Sequence, residues 1–377
     1  MKLSLKKHIL IIEDEPAFIE ILRFSLENAG FEVMSALTGQ DGIKKARLLP
    51  DLILLDVMMP VMDGYEVCRQ LKQNEETKDI PIIMLTARDE TIEKIEAFEL
   101  GIVDYICKHV PFLEILARIK AVLRQFAEVK GQGLDKQKKK KIIEVKEIIA
   151  DKKIKVCFSA IAALSDKELL GFEALLRGPE LTDFEDPLIL FRWAAEAGKK
   201  TELENLYYSL ALEKIETVTG QERLFLKTDP ANLSKRSFKE LDFLKGSVLK
   251  PAQIYLELSE HICLQDVAEF SRNLTKIKNK GVNVVIDDVG EGYSSLKTIA
   301  ELTPDFIKTS GYLSRDINAD SQKQKLMQTI ISQARKIKTD IIANNITTTE
   351  EAETLFKLGV KYGQGGRGSR EILFIRP

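Results

Sequence analysis

Apolar residues along this chain come in two alternating rhythms. Short, nearly continuous runs such as "HILII", "LILL" and "IPIIML" are followed by longer stretches with apolar residues at helical spacing, such as "PAFIEILRFSLENAG" and "FLEILARIKAVLRQF". The first rhythm fits strands covered on both faces, the second amphipathic helices. Through "HILII", "FEVMSAL", "DLILLD", "IPIIMLT" and "VDYI" the pair recurs five times within residues 1–127. That recurrence predicts a parallel sheet with helices on both faces. A second alternation occupies residues 142–377, with strand candidates "IKVCFSAI", "LLGFEALLR", "RLFLKT", "QIYLEL", "VNVVIDD", "DFIKT" and "TDIIA". Its count and length predict a (β/α) barrel, in which function gathers at the C-terminal strand ends. Between the two lies "EVKGQGLDKQKKKK" (128–141), whose lysine run lacks interleaved aromatics and reads as a solvated linker rather than a nucleic-acid patch. There is no internal repeat.

Composition narrows the class. Hydrophobic residues at 44% and charged residues at 30% describe a soluble globular protein, and a formal charge of -2 gives no general attraction to nucleic acid or to an anionic membrane. No apolar run approaches the ~20 residues of a membrane span, and no secretory h-region opens the chain. Cys68, Cys107, Cys157 and Cys263 are scattered without a CxxC pair, so buried free thiols in a reducing cytoplasm are expected. The three histidines are scattered too, which argues against a histidine-rich metal site.

The predicted strand ends carry the chemistry. In the first region Glu13 and Asp14 follow "ILII", Asp56 follows "LILL", Thr86 follows "IIML", and Lys108 follows "DYIC". Parallel-sheet geometry brings these ends to one edge, near the topological switch point. Three carboxylates meeting there repel one another unless a cation binds, and hard oxygen ligands favour Mg²⁺. An aspartate beside Mg²⁺ can attack a phosphoryl group, with a hydroxyl and an ammonium holding the phosphoryl oxygens. The motifs "IIEDE", "LLDVMMPVMDG", "LTA" and "DYICK" resemble, in order and spacing, the flavodoxin-like receiver domain of bacterial two-component response regulators. The resemblance implies that Asp56 accepts the phosphoryl group from a sensor histidine kinase. It implies Mg²⁺ held by Glu13, Asp14, Asp56 and the Met58 carbonyl, and Tyr105 as the switch aromatic that follows Thr86. One departure stands out: the family's Lys-Pro-Phe, with its cis proline, is replaced by "KHVPF", which leaves the placement of Lys108 and the cis bond open.

In the second region the strand ends hold Glu173, Glu257, Glu260, Asp287, Asp288 and Lys308, with Gln364 in "YGQGG". Carboxylates at a barrel mouth suit divalent metals that activate water for phosphodiester hydrolysis. "GFEALLR" and "DDVGEGYSSL" resemble the EAL family of cyclic-di-GMP phosphodiesterases, a TIM-barrel-like fold. Carried over by position, Glu173, Glu257, Asp287 and Asp288 would bind metal. Lys308 would help activate water, Gln364 would line the site, Arg177 would contact substrate, and Glu260 would brace the "DDVGEGYSSL" loop. The departures are as telling. Lys227 stands where the family has a metal-binding asparagine, Ser310 replaces an aspartate, and Asn344 and Thr347 replace glutamates. "SAI" from Ser159 replaces the substrate-contacting Gln-Pro-Ile, and "GRGSREI" replaces the closing aromatic segment.

An ammonium ~4 Å from a dication, at an effective dielectric of ~20, costs on the order of 8 kcal/mol. The expectation is therefore a cytoplasmic response regulator with Mg²⁺ in the receiver, no metal in the barrel, and output by binding a downstream protein or a nucleotide. A homodimer is expected, membrane insertion and direct nucleic-acid binding are not. Two rivals stay open: an active cyclic-di-GMP phosphodiesterase, and a receptor that binds cyclic-di-GMP without cleaving it.

Overall fold

Five of the apolar runs form one parallel sheet. Strands β1 (His8–Ile12), β2 (Glu32–Ala36), β3 (Leu52–Asp56), β4 (Ile82–Thr86) and β5 (Asp104–Cys107) lie in the order β2-β1-β3-β4-β5. The computed structural model describes residues 7–86, 100–129, 131–215, 223–229, 232–233, 241–259, 267–290 and 302–365. The chain divides into two units, Met1–Asp151 with Glu180–Lys200, and Lys152–Pro179 with Thr201–Pro377.

In the first unit the three central strands are buried along their whole length, as continuous apolar runs require. Helix α1 (Pro16–Asn28) starts on a proline and buries Ile19, Leu22 and Leu26. Helices α2 (Gly39–Ala46) and α3 (Gly64–Gln73) are N-capped by Thr38 and Asp63, whose side chains accept from the amides of Asp41 and Glu66. Helix α4 (Phe112–Val129) follows β5. The stretch expected to be a solvated linker is instead largely helical, α5 spanning Gly131–Ala150. Its residues are mostly strong helix formers, and tertiary partners hold it: Lys138 pairs with Asp51 at 3.0 Å and Lys141 with Asp183 at 2.5 Å. Helix α6 (Pro187–Glu196) packs against α5 and buries Ile189, Leu190, Trp193 and Ala194.

The second unit is a closed eight-stranded barrel. Its strands are β6 (Lys155–Ala163), β7 (Leu169–Arg177), β8 (Arg223–Lys227), β9 (Ile254–Ser259), β10 (Asn283–Val289), β11 (Phe306–Thr309), β12 (Asp340–Ile346) and β13 (Tyr362–Gly365). Helices α7 (Lys200–Ile215), α8 (Val267–Lys278), α9 (Gly311–Ser314), α10 (Ser321–Lys336) and α11 (Thr349–Leu358) alternate with them. Two features differ from the sequence expectation. Strand β6 runs antiparallel to both neighbours, β7 and β13, because it joins β7 through a tight hairpin. The eighth strand, "YGQG", is too short and glycine-rich to register as an apolar run. Expected sites that lie outside the described residues are Glu260, the rest of the "DDVGEGYSSL" loop after Gly290, Cys263 and "GRGSREI". Of the other cysteines, Cys68 is buried as expected while Cys157 is exposed.

Inside the barrel, strand alternation builds two layers. Ile161, Phe225, Tyr255, Val285, Phe306 and Ile342 form an apolar plug, with Phe225 stacked on Tyr255 at 4.7 Å. Two residues further along the parallel strands come Lys227, Glu257, Asp287, Lys308 and Asn344. The polar layer therefore rests on a dry floor.

Candidate functional site

At the C-terminal edge of the parallel sheet, oxygens of Glu13, Asp14 and Asp56 lie within 4.8 Å of one another. Glu13 and Asp56 are buried, whereas Asp14 is exposed. Lys108 reaches both buried acids, 2.8 Å from Glu13 Oε2 and 2.9 Å from Asp56 Oδ1, with its ammonium 5.0 Å from the Phe18 ring centre. The His109–Val110 spacing does not displace this lysine. Its position is set upstream, where its amide continues the β4–β5 ladder by donating to the Thr86 carbonyl at 2.7 Å. No cis peptide bond occurs among the described residues. Gly64 lets the loop after Asp56 close: a Cβ there would stand 2.2 Å from the Asp56 carbonyl oxygen. Thr86 and Tyr105 are buried, and Met58 is exposed.

The electrostatics of this edge favour a cation. Burial raises the Glu13 pKa to about 7 against the pull of Lys108, and the Asp56 charge pushes it the same way. Burial also raises Asp56, opposed by the hydrogen bond and charge of Lys108. Burial pulls Lys108 down, yet its hydrogen bonds to Glu13 and Asp56 raise it overall. Among the described residues one ammonium meets two of the three acids, and the hard oxygen donors of this edge fit Mg²⁺.

The barrel holds a second cluster, with oxygens of Glu173, Glu257 and Asp287 again within 4.8 Å, all three buried. Two ammonium groups meet them here. Fully buried Lys308 stands 2.9 Å from Glu173 and 3.1 Å from Glu257. Lys227 Nζ stands 2.9 Å from Asp287 Oδ2. Protein walls the Lys227 ammonium, yet 53% of its side-chain surface is open to water, so its pull on Asp287 is screened more than its depth suggests. Gln364 Nε2 donates to Glu173 Oε2 at 2.5 Å.

Protonation follows from these neighbours. Burial raises Glu173 and Asp287, but Lys308 and Lys227 overcome it and hold both carboxyls below their ordinary values. Burial raises Glu257 well above its ordinary value, the Glu173 charge adding to it. The Asp287 charge raises Lys227 well above its usual range. Two ammoniums thus stand among three buried carboxyls, of which Glu173 and Asp287 are held low and Glu257 is raised.

The remaining expected residues fall around this core. Glu173 sits mid-strand in β7 rather than at its end, directly opposite Ser159 of β6. Arg177 shares the Glu173 face of β7 and donates to the Leu176 carbonyl. Asp288 takes a left-handed φ of 62°, where the β10–β11 register shifts. Ser310 is fully buried, and its hydroxyl has no partner among the described residues. Asn344 occupies the polar layer, but its neighbour Asn345 has a backbone role: φ is 58°, a conformation asparagine tolerates. Gly311 packs on it so closely that a Cβ would come within 2.8 Å of the Asn345 Cβ.

Sequence reasoning missed two contributors. Buried Glu351 accepts from the amides of Asp316, Thr347 and Thr348, clamping the loops after β11 and β12; its T-x-x-E capping box with Thr348 was a readable signal. Buried Tyr207 donates to the Ala174 carbonyl at 2.8 Å, beside Glu173, and no local signal marks it.

A phosphoacceptor-type sheet edge and an acid-lined barrel define a receiver joined to an EAL domain. The EAL domain family matches residues 144–368, more than half of the chain, and the response regulator receiver domain matches residues 9–120. The chain belongs to the EAL family and carries a receiver domain. It is similar to the alkaline phosphatase synthesis transcriptional regulatory protein PhoP of Bacillus subtilis, 36% identical over 59% of this chain and 94% of that protein. It is also similar to the transcriptional regulator RpaA of Synechocystis, 45% identical over 31% of this chain and 49% of that protein, about half its length. Among solved structures, BlrP1 of Klebsiella pneumoniae, in a complex with calcium and cyclic-di-GMP, is 26% identical over 60% of this chain and 56% of that one, with a TM-score of 0.52. No described helix is long and apolar enough to cross a membrane.

Proposed function

We propose that a histidine kinase phosphorylates Asp56 and that the EAL barrel is an output module that does not hydrolyse cyclic-di-GMP. In the receiver, Glu13, Asp14, Asp56 and the Met58 carbonyl would hold Mg²⁺, which when bound neutralises charge on the phosphoryl oxygens. An Asp56 carboxylate oxygen would attack the phosphorus of the kinase's phosphohistidine, the O–P bond forming as the N–P bond breaks and the imidazole leaves, while Lys108 turns from Asp56 to the phosphoryl group and Thr86 moves towards it with Tyr105 following.

What supports the barrel reading is one observation: the Lys227 ammonium lies 2.9 Å from Asp287 in the polar layer. A dication ~4 Å from that ammonium would be opposed by about 8 kcal/mol at an effective dielectric of ~20, less the screening from its open side. With Lys308 already on Glu173 and Glu257, each of the three acids has an ammonium partner. A cation-free barrel would lack the dication that lowers the pKa of an attacking water. Cyclic-di-GMP, bound by the Klebsiella protein, remains a candidate ligand through Arg177 and Gln364.

Incubation with cyclic-di-GMP and Mn²⁺ tests this directly. Expected is no linear dinucleotide above the buffer rate, with calorimetry reporting whether the intact nucleotide binds. Steady turnover that disappears in Glu173→Ala would establish an active phosphodiesterase instead.

A further inference from the structure

The acid layer occupies one mouth of the barrel, and the opposite face, where the parallel strands begin, has a different chemistry. The apolar plug lies between the two. Tyr362, the first residue of β13, packs against it with its ring 5.6 Å from that of Phe306. A ligand on this face is therefore separated from Glu173, Glu257 and Asp287. Two cavities open here and share Lys361. One, of about 440 Å³, lies at the C-terminal ends of α10 and α11 and is lined by Arg335, Lys338, Asp340 and Lys361. The other, of about 510 Å³, is lined by Glu168, Phe356, Lys361 and Tyr362. Both volumes fall in the ~300–1,000 Å³ range of small-molecule sites.

Charge makes the first cavity an anion site. Lys361 pairs with Asp340 at 2.7 Å, whereas Arg335 and Lys338 have no acidic partner among the described residues. Cations at a helix end favour its dipole, but these also line a cavity, and the backbone is shaped for one of them. Gly359, the C-cap of α11, has a φ of 103°, and a Cβ there would stand 2.7 Å from Nη2 of Arg335. Glycine thus lets the guanidinium lie against the chain. Three cations against one carboxylate fit a phosphate group, which a guanidinium grips with two parallel N–H donors.

The second cavity suits the rest of a nucleotide. Phe356 is 50% exposed and offers a flat apolar face on which a base can stack. Glu168 has no cationic partner among the described residues, and its carboxylate can accept from two neighbouring N–H donors of a base edge. Asp166 beside it is already engaged, accepting from the Ser165 hydroxyl and the Glu168 amide.

We propose that the strand-start face of the barrel binds a nucleoside phosphate whose base carries paired N–H donors. Arg335, Lys338 and Lys361 hold the phosphate, and the base stacks on Phe356 with its donors on Glu168. The site is independent of Asp56 and of whatever the acid layer binds.

Titration calorimetry of the full chain with guanosine monophosphate tests this, with inorganic phosphate and guanosine as the two halves of the ligand. The nucleotide should bind more tightly than either half. Arg335→Met with Lys338→Met should weaken it at least about tenfold and abolish phosphate binding, while Arg335→Lys alone should keep phosphate binding. Phe356→Ala should weaken the nucleotide about tenfold and leave inorganic phosphate unchanged. Arg177→Ala, on the acid side of the plug, should change neither. Absence of nucleotide binding, undiminished affinity in the Arg335 and Lys338 double variant, or equal affinity for inorganic phosphate would overturn the site. So would a loss in Arg177→Ala, which would put the nucleotide at the acid mouth. A measurement on the wild type needs no variant to fold: the nucleotide should slow amide exchange at Lys338–Ile341 and Phe356–Tyr362. Protection confined to the opposite strand ends would refute the proposal.

Discussion

The acid cluster at the sheet edge and the acid cluster in the barrel start from the same ingredients but are met by different numbers of ammonium groups. Each gathers three carboxylates within 4.8 Å, and each receives a lysine from a strand or its end. At the sheet edge Lys108 is the one ammonium on these acids among the described residues, and Asp14 faces solvent, leaving an open approach. In the barrel a second lysine, Lys227, pairs with Asp287, and all three acids are buried. The two clusters thus differ in the number of ammonium groups beside their acids.

Asp56→Ala should have the largest effect and abolish mass gain from phosphoryl donors in intact-protein mass spectrometry; gain persisting in this variant would mean that Asp56 is not the phosphoacceptor. Next in size, Lys227→Asn should turn the barrel cluster into the other kind. Mn²⁺ affinity by calorimetry should rise by about a thousandfold, roughly 4 kcal/mol, half of the unscreened Coulomb figure because Lys227 is open to water. An unchanged affinity would mean that Lys227 does not keep metal out. Lys308→Met tests the other ammonium by leaving Glu173 and Glu257 buried without it. Denaturant midpoints should then report a loss of about 3–5 kcal/mol. A neutral outcome would show that the acids are held by other partners.

The smallest effect concerns Asp51, at the far end of the sheet. Burial raises its carboxyl, but Lys138, the His8 amide and Lys7 overcome burial and lower it overall. A depressed folded-state pKa stabilises above the unfolded value, about 3.9, and that contribution fades as pH falls through the folded value. The gap in melting temperature between wild type and Asp51→Asn should thus be constant from pH 7 to about pH 5 and narrow below pH 4. A gap that widens on acidification would reverse the sign.

Much of the fold was legible because strands and helices write their own periods. The five apolar runs of the first unit became its five strands, and seven runs became seven of the eight barrel strands. The spacing of floor and site residues was legible too: Phe225 with Lys227, and Tyr255 with Glu257, follow from alternation alone. The antiparallel course of β6, the strand made by "YGQG" and the hydrogen bond from Tyr207 were not legible, since each depends on a partner distant in sequence.

The chain's own letters were enough to say which side chains line each strand, because side-chain direction in a strand repeats every second residue. It took the folded chain to show that Lys227 meets Asp287 and that Lys308 bridges Glu173 and Glu257. Those outcomes turn on charges tens of residues apart coming within 3 to 4 Å, where burial and Coulomb energy act and no local pattern does.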